Sequence, residues 1–115
     1  MTLNEVPEVV VDPEDNYKFI VVELTDVNSN KRLVVRAKAR PGFKYHSDIL
    51  DLLCHDVFSS GLKARCIGGG SIEINSQVKT IYIWSYSGDF GREPDRQETV
   101  RILQVAFPEF QVTAG

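Results

Sequence analysis

Candidate chemistry in this chain begins at His46, which stands between Tyr45 and the pair Ser47 and Asp48, just ahead of a run with helical spacing. A helix start presents unpaired backbone amides with partial positive charge, so it attracts an anion. An imidazole beside it is a candidate proton-transfer group. Taken alone, the position also suits a capping or solvent-facing histidine, and both readings stay open here. His55, mid-helix beside Cys54, lacks that setting and reads as structural or exposed.

Other patterns exclude more than they suggest. The two histidines are nine positions apart and the two cysteines twelve, which matches no zinc-ligand spacing, so no metal is expected. The string CIGGGSIE from Cys66 looks like a phosphate loop. A cysteine phosphatase, however, needs an arginine six positions after its nucleophile, where this chain has Ile72. No Gly-Lys-Ser/Thr follows the glycines either, so a nucleotide P-loop is absent. Cys66 then reads as a strand residue, and Gly68, Gly69 and Gly70 as a tight bend or bulge with close backbone approach.

Composition sets the class. The chain has 115 residues, 43% apolar and 25% charged, as expected of one folded globular domain. A net charge of -3 offers no basic face, so nucleic acid is not an expected partner. No apolar run approaches the roughly 18–20 residues of a membrane span, and the acidic start is unlike a signal peptide. The expected setting is the cytoplasm, with no membrane partner and with both cysteines as free thiols.

These residues need elements to position them. Residues 1–16, with two prolines and several acids, read as a loose N-terminal arm with one short edge strand around Val9–Val11, and 17–115 as the ordered domain. YKFIVVELT at 17–25 and RLVVRAK at 32–38 are dense in β-branched and aromatic residues, and the turn DVNSNK joins them as a hairpin. Pro41 and Gly42 break the pattern. Ile49, Leu50, Leu53, Val57 and Phe58 then mark the buried stripe of a helix over 47–60, closed by Gly61.

Two short strands at 62–67 and 71–75 are expected on either side of the glycines. KTIYIWSY at 79–86 is the strongest strand pattern, expected to be covered on both faces. Pro94, or Asp95 with Glu98 as a capping pair, opens a second helix with Val100, Leu103 and Phe107 as its buried stripe. Pro108 ends it, and 110–113 adds a last strand. The expected fold is one α/β (α+β) domain, a mixed β-sheet of about six strands packed with two α-helices.

In order along the chain, KYHSDI at 44–49, CIGGGSI at 66–72, IYIWSYSGDFG at 81–91 and FPEFQVT at 107–113 resemble the Janus/Ocnus family of small phosphohistidine phosphatases. The similarity extends over nearly the whole chain from Tyr17, and VVR at 34–36 matches the family's second strand, followed by about two extra residues before His46. The resemblance implies a metal-independent protein phosphohistidine phosphatase without a cofactor, acting as a monomer on a phosphohistidine-containing protein, with phospholysine as a second substrate class. It places the catalytic histidine, as general base or nucleophile, on His46. It places phosphate binding on Lys18 and Ser87, with amides near Ser47 and along Ser87, Gly88 and Asp89.

Two residues depart from the family pattern. Ser71 stands where active relatives have an arginine, and Asp89 where they have a small residue, which removes a bidentate cation and adds a carboxylate. Arg92 is a candidate replacement for the missing charge. The alternative readings are a catalytically weakened phosphate- or phosphoprotein-binding module of the same fold, and an adaptor with neither property.

Overall fold

The two β-rich runs fold as the hairpin their turn residues require, and the rest of the sheet is built outward from it. The computed structural model describes residues 1–12, 16–39 and 42–115. Its strands are β1 (Val9–Val11), β2 (Asn16–Thr25), β3 (Lys31–Lys38), β4 (Lys63–Asn75), β5 (Thr80–Trp84) and β6 (Gln111–Ala114). Its helices are α1 (His46–Val57), between β3 and β4, and α2 (Arg96–Ala106), between β5 and β6. Pro41, expected as a breaker, lies outside the described residues. Gly42 has φ +99°, a left-handed conformation suited to glycine.

The single α+β domain has strand order β1-β3-β2-β4-β5-β6. Its central pairs are antiparallel, while β1 joins β3 and β6 joins β5 in parallel at the two edges. The sheet curls around α2, which touches β6 from one edge and both β1 and β3 from the other. Among the described residues no helix is long and apolar enough to cross a membrane.

Strand β2 is buried on both faces. Phe19 and Val21 pack with Ile72, Ile83, Ile102 and Leu103 on the α2 side. Ile20, Val22 and Leu24 pack with Ile49, Leu53 and Val57 on the α1 side. Each fully buried side chain of this size contributes about 1.5–3 kcal/mol. The alternation of the strand puts Lys18 on the α1 side as well.

Several expectations are corrected. Residues 1–12 are not a loose arm: Leu3–Glu5 form a short 3-10 turn, and Leu3 and Val6 are buried in the core on the α1 side. Arg32 of β3 ties this segment down by donating to the carbonyls of Leu3 and Val6. Two apolar side chains and one long-range arginine thus outweigh the polar, proline-containing composition.

The strands expected at 62–67 and 71–75 are one continuous β4, because β2 pairs with it along nearly its whole length. Val22 faces Cys66 and Val21 faces Gly68, so Ile67 is the extra residue of a bulge. The close approach expected of the glycines is present. A Cβ at Gly68 would overlap the Glu93 backbone, one at Gly69 the Phe19 carbonyl, and one at Gly70 the Trp84 carbonyl.

Strand β5 is covered less than expected: Ile81 and Ile83 are fully buried, but Tyr82 on the other side is 39% exposed. Helix α1 begins one residue earlier than expected and stops at Val57, leaving Phe58 exposed. In α2 the side chains of Thr99, Ile102 and Leu103 are buried, while Val100 and Phe107 are only partly so. Asp95 caps this helix by accepting from the Glu98 amide at 3.2 Å.

The bulge geometry yields a test. Gly68→Ala sets a methyl group against backbone that cannot rotate away, with the Arg92 carbonyl carbon only 2.6 Å from the added Cβ. We expect a loss of about 3 kcal/mol in urea unfolding. An unchanged midpoint would contradict the close approach.

Candidate functional site

Helix α1 opens on His46, whose ring lies against the glycine run because only glycine leaves room there. A Cβ on Gly69 would sit 3.3 Å from His46 Cδ2. His46 Nε2 is 2.9 Å from the Gly70 carbonyl oxygen. A carbonyl only accepts, so Nε2 carries the hydrogen and, in the neutral ring, Nδ1 holds the free lone pair.

His46 is 8% exposed, and burial is the main cause that holds its pKa below the ordinary imidazole value. The Gly70 bond opposes this, the Lys18 ammonium adds to it, and the Asp89 carboxylate opposes it. The ring is therefore neutral at pH 7, with Nδ1 able to take a proton or attack an electrophile. Asp48 accepts from the Tyr45 amide at 2.9 Å, which fixes the helix start. The amides of His46 and Ser47 remain as first-turn donors.

Lys18 pairs across the sheet with Lys38 on one side and Ser71 on the other, and Ser71 pairs with Trp84. These four residues form one row on the face that α1 covers farther along. Lys38 is held by Asp12 at 3.3 Å, whereas Lys18 forms no ion pair among the described residues. Its charge is available to a ligand, and it acts on His46.

The segment after β5 is a tight turn in which Ser87 and Gly91 exchange backbone bonds of 3.0 and 2.8 Å. Ser87 is buried, and its Oγ accepts from the amides of Asp89 at 3.3 Å and Phe90 at 3.1 Å. Of the amides proposed to cradle phosphate, those of Ser87 and Asp89 are thus used within the turn. The Ser87 hydroxyl proton and the Gly88 amide are the donors left. The turn is tied to the glycine run by the Gly69 amide, which donates to Gly91 O at 3.0 Å. The Arg92 guanidinium is held at the β6 edge of the sheet, donating to Gly115 O at 3.0 Å. The structure thus joins His46, Lys18 and Asp89 electrostatically, while the Arg92 guanidinium is engaged at the Gly115 carbonyl.

Sequence reasoning missed the group that holds this arrangement. The buried Arg96 guanidinium donates to the carbonyls of Gly69 at 2.8 Å and Ser85 at 2.7 Å, and to the Glu93 carboxylate at 2.6 Å. Thr99 also donates to Glu93 at 2.6 Å. A signal was present: arginine at the first position of a helix opposes the dipole, and Glu93, Arg96 and Thr99 recur every three residues on one face. Cys66 is no nucleophile, since burial pushes its thiol up to about 11.

Fold and site together define a small α+β protein with a buried, neutral histidine at the start of a helix. The particular family follows from comparison: the model of the Janus/Ocnus family matches residues 3–111, and the chain belongs to that family. It is 35% identical to the sex-regulated protein janus-A of Drosophila yakuba, over 93% of this chain and 77% of that protein. It is 33% identical to the janus-A protein of Drosophila melanogaster, with the same shares covered. A 14 kDa phosphohistidine phosphatase of Sus scrofa is 27% identical, over 96% of this chain and 90% of that protein.

The buried network gives the site's own test. Arg96→Ala leaves the Glu93 carboxylate without its cation and two carbonyls without donors, so unfolding free energy should fall by about 3–5 kcal/mol. Arg96→Met combined with Glu93→Leu should recover most of that loss. A single variant as stable as the parent in urea unfolding would show that the pair supports nothing.

Proposed function

We propose that this chain is a metal-independent protein phosphohistidine phosphatase, acting in the cytoplasm as a monomer and needing no cofactor. The observation that carries the reading is the neutral His46 ring, fixed through Nε2 to Gly70 so that Nδ1 stays unprotonated, beside a lysine with no carboxylate partner among the described residues. The phosphoryl oxygens lie against Lys18, the first-turn amides including that of Ser47, the Gly88 amide and the Ser87 hydroxyl. His46 Nδ1 either takes the proton of an attacking water or accepts the phosphoryl group itself. The P–N bond is labile, so a site with one base and one cation suffices; phospholysine, with the same bond type, is a second substrate class. Similarity to the Sus scrofa phosphatase supports the reading.

A second reading, a phosphate- or phosphoprotein-binding module with little turnover, is favoured by one feature. Ser71 puts a short hydroxyl between Lys18 and Trp84, so no second cation joins Lys18 from that position. Arg92 would have to release the Gly115 carbonyl to replace it.

Hydrolysis of a phosphohistidine peptide in chelator separates the two. We expect wild-type turnover, a loss of about 100-fold or more in His46→Ala, and a KM raised about tenfold in Lys18→Met. Because the base must be unprotonated and its pKa is depressed, activity should hold as pH falls to about 6.5 and decline only below it. Binding without turnover would favour the second reading, and neither binding nor turnover would refute both.

A further inference from the structure

The open face beside His46 carries aromatic rings that phosphate chemistry alone does not use. Tyr82 and Trp84 stack with centroids 5.1 Å apart and planes within 13°. They occupy alternate positions of β5, on the same face as Ser71 and Lys18. Tyr82 covers one side of the Trp84 ring; Trp84 is the last residue of β5, and the Ser87 turn follows it directly in the chain. That turn bears Asp89, whose side chain is exposed and forms no hydrogen bond or ion pair among the described residues. The Asp89 charge nevertheless reaches His46.

The register sets the scale. His46 rests against Gly69, Ser71 lies two residues on, and Trp84 is the cross-strand partner of Ser71. The separation from Gly69 to Trp84 is on the order of 8 Å, the span of a phosphoryl group with a five-membered ring attached. Ser71, being short, leaves the space between open.

We propose that Trp84 and Asp89 form a leaving-group site for a flat cation, in which the protonated imidazole of phosphohistidine lies on the Trp84 ring and its distal N–H meets the Asp89 carboxylate. This rests on the phosphohistidine reading above. An aromatic face and a carboxylate both favour a cation, and together they favour a planar one with an N–H at its edge. The chemistry balances with the ring so held. The P–N bond breaks with its electron pair passing to the ring nitrogen, while the distal nitrogen keeps its proton, so neutral imidazole departs. The new P–O bond comes from water, whose proton goes to His46 Nδ1, or the phosphoryl group passes to Nδ1 and is later released by water. An alkyl phosphate ester offers this site neither ring nor cation, and an aryl ester offers a ring without the cation or its N–H edge. The same carboxylate that repels phosphate thus selects P–N over P–O substrates.

Trp84 is the chain's one tryptophan, so its fluorescence reads the proposed contact directly. In full-length His46→Asn, which removes the base, N-phosphoimidazole should change that emission saturably and inorganic phosphate should not. Adding Asp89→Asn should weaken the apparent affinity about tenfold. With His46 intact, Asp89→Asn should lower the ratio of kcat/KM for phosphoimidazole to that for phenyl phosphate about tenfold, a ratio that cancels any effect of Asp89 on His46 itself. No saturable change, or an equal response of both substrates to Asp89→Asn, overturns the ring site, and wild-type hydrolysis of phosphoimidazole would then leave the phosphatase reading standing. Saturable binding weakened by Asp89→Asn, with no hydrolysis by the wild type, upholds the ring site and overturns the phosphatase reading.

Discussion

The buried pairing of Arg96 with Glu93 is the constraint from which the rest of the site follows. One guanidinium joins the start of α2 to the carbonyl of Gly69 in β4 and to that of Ser85 just beyond β5. It also lies 5.3 Å from the centre of the Phe19 ring in β2. The three consecutive glycines lie in the same crowded region, where added side chains would overlap backbone at Glu93, Phe19 and Trp84. Taking an arginine and a glutamate out of water is costly, and the cost is offset only because every donor and acceptor finds a partner. The pair therefore contributes location more than net stability. It presents the Gly70 carbonyl to His46 and anchors the turn that carries Ser87.

The two faces of the sheet divide the labour. Helix α2 and the curl of the sheet around it enclose the larger apolar core. Helix α1 covers only part of the opposite face, and at its beginning that face passes from isoleucine and leucine to Lys18, Ser71 and Trp84. His46 stands on this boundary. It is buried enough to stay neutral and, among the described residues, is hydrogen-bonded through one nitrogen, a combination that neither a core position nor an open surface supplies.

Much of this was legible because it is local. The hairpin, both helices, the Asp95 cap and the placing of His46 at a helix start all follow from patterns spanning a few residues, and the family resemblance joined them into one fold. What escaped the reading depends on partners distant in sequence. The continuity of β4 through its glycines depends on β2, which supplies hydrogen bonds that outweigh poor strand propensity. The docking of Leu3 and Val6 depends on Arg32. Phe58 looked like part of a buried stripe because it adjoins Val57, yet the helix ends there and the next side chain turns to solvent. Arg96 escaped because charged residues near a helix start were read as capping, and the role of its guanidinium became visible only with the strands in place.

The parallel edges have a consequence for motion. Strands β1 and β6 are short, and each is joined to a single neighbouring strand by pairing that closes a long loop. The site rides instead on β2, β4 and the network between them, the most heavily bonded part of the sheet. Brief opening at either margin can therefore proceed while the central strands keep their register. Amide exchange should be fast at the rims and slow around Phe19 and Ile72, so that the geometry around His46 outlasts the fluctuations of the domain that surrounds it.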